Sequence, residues 1–216
     1  MPETKEIDVM ESVYDKNELV AKKTNEKLTK KGIFAVNVMG SPGAGKTSSL
    51  KRITEKIGDV TPYVIEGDIE SDIDTKALNS LGIQTIQINT GGACHLDSPL
   101  IEDAVNDLDV SNGVLFIENI GNLVCPAEFE IGEHVKMLIS TTTEGSDKPY
   151  KYPLAFEKAD IILINKCDLI PYVDFDEEYF MKGVRALNPT APVFRVSAKN
   201  DEGYEEVVSW IKNRLK

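Results

Sequence analysis

The run GSPGAGKT, Gly40 to Thr47, sets three glycines ahead of a lysine–threonine pair, directly behind the apolar stretch FAVNVM. It fits the pattern G-x-x-x-x-G-K-[ST] where a strand hands over to a helix, the context that gives the pattern its meaning. Gly40, Gly43 and Gly45, with Ser41, Pro42 and Ala44 between them, let backbone N–H groups turn inward on an anion. Lys46 reaches the β and γ groups of a nucleotide. The Thr47 hydroxyl is placed for Mg2+, and the helix that follows points its positive end at the phosphates. The competing reading is a glycine-rich turn with a chance lysine.

Two later runs choose the base. NKCD, Asn165 to Asp168, follows the apolar IILI. The Asp168 carboxylate accepts two hydrogen bonds, from N1–H and the 2-amino group of guanine. Adenine offers neither donor in that arrangement, and a buried unpaired carboxylate is costly. Lys166 lies along the base and braces the phosphate loop. SAK, Ser197–Ala198–Lys199, closes the last apolar run, where GTPases support the guanine carbonyl. Either run alone is weak; in this order, at strand ends behind a phosphate loop, they make GTP the expected ligand. Cys167 sits inside the base motif, and packing is its expected role.

A third run, TGGACHLDSPL from Thr90 to Leu100, spends one of three cysteines and one of two histidines on the neighbours Cys94 and His95. Cys125 lies far away in sequence, so only the fold could bring it to them. Spacing alone leaves two readings, a packed free thiol or a metal ligand. Adjacent strand residues point to opposite faces, so joint ligation needs a turn, which TGGA allows. Otherwise His95 orients the thiolate from behind.

The elements that must position these runs alternate along the chain. An amphipathic helix is expected from about Ile7 to Lys31, with Ile7, Met10, Val13 and Tyr14 on one side. Strands are expected at Phe34–Met39, Thr61–Glu66, Ile83–Asn89, Gly113–Glu118, Val135–Thr142, Asp160–Asn165 and Ala191–Ala198, with helices between most of them and a last helix from about Glu202 to Leu215. This alternation predicts an α/β fold of the P-loop NTPase type, a mostly parallel central sheet with helices on both faces. Ligands then sit beyond the carboxyl ends of the strands. Two parts are expected, a helical extension over 1–32 and a GTPase domain over 33–216, in a single globular unit. The net charge of −12 speaks against a nucleic-acid surface. The basic stretch KKTNEKLTKK reads as a solvated helix face. No apolar run is long enough to cross a bilayer, no signal region opens the chain, and sparse odd cysteines fit a reducing cytoplasm.

With these motifs in place, the chain resembles the HypB family of hydrogenase nickel-incorporation GTPases, in the dimerising SIMIBI class and close to the urease accessory GTPases. GSPGAGKT, EGDIESDIDT, GACHLD, ENIGNLVCPAEFE, STTTEG and NKCD carry the resemblance across nearly all of Ile33–Lys216. It implies a Ni2+ or Zn2+ site at a dimer interface, built from Cys94, His95 and Cys125. One chain offers at most three such ligands where closed zinc sites use four, and a two-fold dimer meets that shortage. Also implied are GTP-promoted homodimerisation, a hydrogenase maturation partner and the hydrogenase large subunit as client. Asp68 and Asp74 occupy a switch-like loop that could hold Mg2+. Glu118 ends its strand and is counted with Lys46 and Thr47 as catalytic, and Gly121 follows where other GTPases have the glycine that senses the γ-phosphate. Lys151 follows TTTEG, where it either reaches the partner's nucleotide or faces solvent. His134 reads as a surface or supporting group. ENIG replaces D-x-x-G and no glutamine follows, so slow hydrolysis is expected. Some members of the family carry a cysteine motif or a histidine-rich tract at the front. Residues 1–32 hold neither, so no extra nickel store is expected. A urease role and a P-loop small-molecule kinase are the alternatives; NKCD speaks against the kinase.

Overall fold

A computed structural model describes residues 9–68 and 78–215, with side chains described from Asp15 onward except that of Asp68. The sheet has seven strands, all parallel, in the order β3-β2-β4-β1-β5-β6-β7. They are β1 (Ile33–Gly40), β2 (Thr61–Asp68), β3 (Gln84–Asn89), β4 (Gly113–Glu118), β5 (Val135–Thr141), β6 (Ile161–Asn165) and β7 (Val193–Arg195). β4, β5 and β6 are buried along their whole length. Near-continuous apolar runs are what strands covered on both faces require.

Alternate residues of these strands feed two opposite layers. Val36, Val38, Met137, Ile139 and Leu163 point to one face, against Leu50 and Ile53 of α2 (Lys46–Lys56) and Val207 and Ile211 of the C-terminal helix, Tyr204–Lys212. Ala35, Ile65, Leu115 and Ile117 point to the other, against Leu28 of α1 (Val9–Lys30) and Ile101 and Val105 of α3 (Ser98–Asp107). On that same side Met39, Leu138 and Ile162 meet Phe156 and Phe180, from the helices Pro153–Glu157 and Glu177–Leu187.

Most element boundaries agree with the sequence reading within one or two residues. The last helix spans Tyr204–Lys212 and ends three residues short of Leu215, and the last strand spans Val193–Arg195 rather than Ala191–Ala198. Its continuation pairs elsewhere: Ser197 exchanges backbone hydrogen bonds with Glu202 across a tight loop. The first helix covers Val9–Lys30; Ile7 and the side chains of Met10, Val13 and Tyr14 lie outside the described residues. Its basic stretch is exposed at Lys22, Lys23 and Lys30, while Asn17, Ala21, Thr24 and Leu28 form a buried seam. Among the described residues no helix is long and apolar enough to cross a membrane.

Candidate functional site

β1 runs through the middle of the sheet and ends at Gly40, so the loop Gly40–Thr47 leaves from the point where chain connections part to the two sides. That is where open parallel sheets hold ligands. Gly45, at φ 89°, sits in left-handed backbone, and a Cβ there would fall 2.4 Å from the Asn165 side chain. Both facts require glycine. The loop wraps a cleft of about 510 Å3 lined by Gly43, Gly45, Lys46, Thr47, Glu118 and Lys166, among others. Across it Thr47 Oγ1 donates to Glu118 Oε1 at 2.9 Å. Glu118 closes β4, beside β1, so strand register sets this contact.

A second cleft of about 370 Å3 continues from the first, lined by Gly45, Ser48, Asn165, Lys166, Asp168, Leu169, Ala198 and Lys199. Asn165 sews the two together: its Nδ2 donates to Ala44 O at 2.9 Å, while its Oδ1 accepts from Lys166 N and Ala198 N. Lys166 Nζ donates to Gly43 O at 2.8 Å, beneath the phosphate loop. Ser197 Oγ donates to Asp168 Oδ1 at 2.6 Å and fixes that carboxylate. Cys167 donates to Ile164 O and packs against the adjoining core, and burial raises its thiol pKa.

The third group follows the loop that leaves the first cleft at Asn119, Ile120 and Gly121. Cys94 Sγ lies 3.3 Å from Cys125 Sγ and 3.3 Å from His95 Nδ1, and the three ligand atoms fall within 4.8 Å of one another. Cys94 is exposed; His95 and Cys125 are half-buried. The His95 ring stacks on Phe129, centroids 4.2 Å apart, and burial lowers its pKa, which keeps the imidazole neutral and able to donate a lone pair. Burial, with the proton that Cys125 shares with Cys94, raises the Cys125 pKa. Two sulfurs and one imidazole nitrogen are a donor set for a borderline-soft divalent cation.

Backbone joins this cluster to the phosphate loop. Gly121 packs so closely on Pro42 that a Cβ would meet it at 2.8 Å, and Asn122 bridges to Gly40. Asn122 Nδ2 then donates to Cys94 O at 3.0 Å, while its Oδ1 accepts from Val124 N, just before Cys125. Asn119 Oδ1 accepts from Leu96 N at 3.1 Å, and its Nδ2 donates to Asn37 Oδ1 on β1. Sequence reasoning overlooked Asn119, Asn122 and Phe129. The two asparagines had a signal, since amides beside a loop glycine commonly tie backbone.

Other expected residues fall elsewhere. Lys151 lines neither cleft; it is exposed and pairs with Asp147 at 2.5 Å. His134 is a link between elements, its Nδ1 accepting from Ala35 N at 2.9 Å and its Nε2 meeting Thr29 Oγ1 at 2.9 Å. Asp74 and the side chain of Asp68 lie outside the described residues.

Residues 34–195 match the CobW/HypB/UreG nucleotide-binding domain. The hydrogenase maturation factor HypB of Azotobacter vinelandii is 43% identical over 208 residues, 95% of this chain and 69% of that protein. The crystal structure of HypB from Archaeoglobus fulgidus superimposes with a TM-score of 0.88 at 35% identity, over 94% of this chain and all of the other. HypB from Helicobacter pylori in complex with nickel gives a TM-score of 0.87 at 34% identity, over 93% and 95%.

Proposed function

The chain belongs to the HypB family of hydrogenase maturation factors, among the CobW/HypB/UreG nucleotide-binding proteins, and on that premise we propose that it is a metal-delivering GTPase. In this reading 33–216 form the GTPase domain and 1–32 a helical extension. The guanine is read by Asp168, with Lys166 along its face and Ser197, Ala198 and Lys199 at its carbonyl side. The phosphates lie on Gly40–Thr47. Lys46 offsets the charge that builds on the β- and γ-oxygens, and the loop amides hold those oxygens in place. Thr47 and Glu118 face each other across the phosphate cleft as a hydroxyl and a carboxylate, donors that suit a hard cation. Thr47, with Asp68 and Asp74, would hold Mg2+, which neutralises phosphate charge when bound. Glu118 faces the γ-phosphate position, and the absence of a following glutamine fits slow turnover to GDP and phosphate.

The observation that carries the reading is the Cys94–His95–Cys125 cluster, within 4.8 Å and tied through Asn122 to the phosphate loop. Its donors suit Ni2+ or Zn2+, and the nickel complex of the Helicobacter pylori relative supports nickel. A GTP-promoted homodimer would bring a second set of the same ligands, and Lys151 is proposed to reach the partner's nucleotide there. Delivery to the hydrogenase large subunit, with a maturation partner, in the cytoplasm, completes the proposal.

Sedimentation with and without a GTP analogue and Ni2+, for the wild type and Cys125→Ala, tests it. Metal should strengthen the wild-type dimer and leave the Cys125→Ala dimer unchanged while GTP binding survives. Equal responses would sink the interface site.

A further inference from the structure

Among the described residues the first helix lines neither nucleotide cleft, yet its buried seam bonds the segments that follow both halves of the thiol–imidazole cluster. Asn17 is 6% exposed, and both ends of its amide are in use. Nδ2 donates to Glu130 O at 2.7 Å, and Oδ1 accepts from Ser98 N at 2.9 Å. The backbone carbonyl of Asn17 also accepts from Ser98 Oγ at 2.7 Å. Ser98 follows closely on Cys94 and His95, while Glu130 adjoins Phe129, the ring on which His95 stacks. About two helical turns on, Asn25 Nδ2 donates to Glu133 O at 2.8 Å and Gly132 O at 3.3 Å. Gly132 in turn lies flat against Thr24.

We infer that α1 is a brace for the metal ligands and that Asn17 is their positioning residue, holding the Cys94–His95 loop and the Cys125–Phe129 segment at a fixed separation before a cation arrives. The inference rests on reading the cluster as a metal site. An amide is the side chain this junction requires, because it offers a donor and an acceptor on one rigid fork. A carboxylate keeps the Ser98 end and loses the Glu130 end; alanine loses both. Groups that orient metal ligands from behind change affinity without touching the ion.

The test uses the full chain and Ni2+ alone, measured by competition with a chromophoric chelator and by the thiolate-to-nickel charge-transfer spectrum. Asn17→Ala should weaken Ni2+ binding about 10–100-fold and alter the spectrum, with GDP affinity unchanged. Asn17→Asp should fall between it and the wild type. Ser98→Ala, which removes only the hydroxyl contact, should give a smaller loss and keeps the test alive if Asn17→Ala does not fold. Leu28→Ala loosens the same helix through a cavity and should lower the melting temperature while leaving Ni2+ affinity intact. Wild-type affinity and spectrum in folded Asn17→Ala, or in Ser98→Ala where Asn17→Ala is unfolded, would overturn the inference. So would an equal affinity loss in Leu28→Ala. Ni2+ binding that ignores Cys94→Ala would instead overturn the metal reading itself.

Discussion

The nucleotide clefts and the thiol cluster sit at the same end of one sheet and are built in opposite ways. The phosphate and base loops are bound to each other by side chains, the buried Asn165 to Ala44 and the half-buried Lys166 to Gly43, so their shape exists before any ligand. The cluster lies on the outside, with Cys94 exposed, and is fixed mainly through backbone carbonyls gripped by asparagines. A pocket that receives the same ligand every cycle gains from rigidity. One that must load and release a cation keeps its donors near solvent and at a number short of full coordination.

Breaking each side should therefore leave the other standing. The largest effect is expected from Lys46→Ala, with phosphate release falling by about 100-fold or more while metal binding persists. Cys94→Ala or Cys125→Ala should weaken Ni2+ binding by more than about 100-fold, beyond what a supporting group costs, with GDP affinity unchanged by calorimetry. Asp168→Asn should weaken GTP by about 2–4 kcal/mol and favour xanthine nucleotides, since one acceptor becomes a donor. Unaltered guanine preference would displace the base pocket.

Acid sharpens the contrast further. Cation binding requires thiolates and a neutral ring, so about two protons should leave per metal bound, and affinity should fall as pH drops. The raised Cys125 pKa strengthens that competition. Nucleotide affinity should hardly change over the same range. The smallest effect concerns His134. Burial lowers its folded pKa below 6.5, so the stability it contributes is complete above that value and is lost as pH falls toward the folded pKa. His134→Ala should cost about 1 kcal/mol in denaturant melts and remove that part of the acid slope.

Legibility followed the same division. The phosphate loop and NKCD are contiguous, so their chemistry shows in a string of letters. Cys94 and Cys125 are 31 positions apart, and no spacing rule joins them; β4 and the turn after Gly121 do. Asn17 left no trace, because a polar residue in a charged helix reads as solvated until a buried seam is seen. The expected strand β7 runs past Arg195 because Val196 and Ala198 on either side of Ser197 keep its alternation going, while the Ser197–Glu202 pairing takes the backbone elsewhere. Lys151 carried a family expectation that contacts within one chain, an ion pair with Asp147, do not test.

Asn165 has a kinetic consequence. Its single amide ties the floor of the phosphate cleft to the wall of the base cleft, so opening either one costs a hydrogen bond to the other. Base and phosphates should then be released together, and nucleotide exchange should show a single rate, the same whether the fluorophore reporting it is attached to the base or to the ribose.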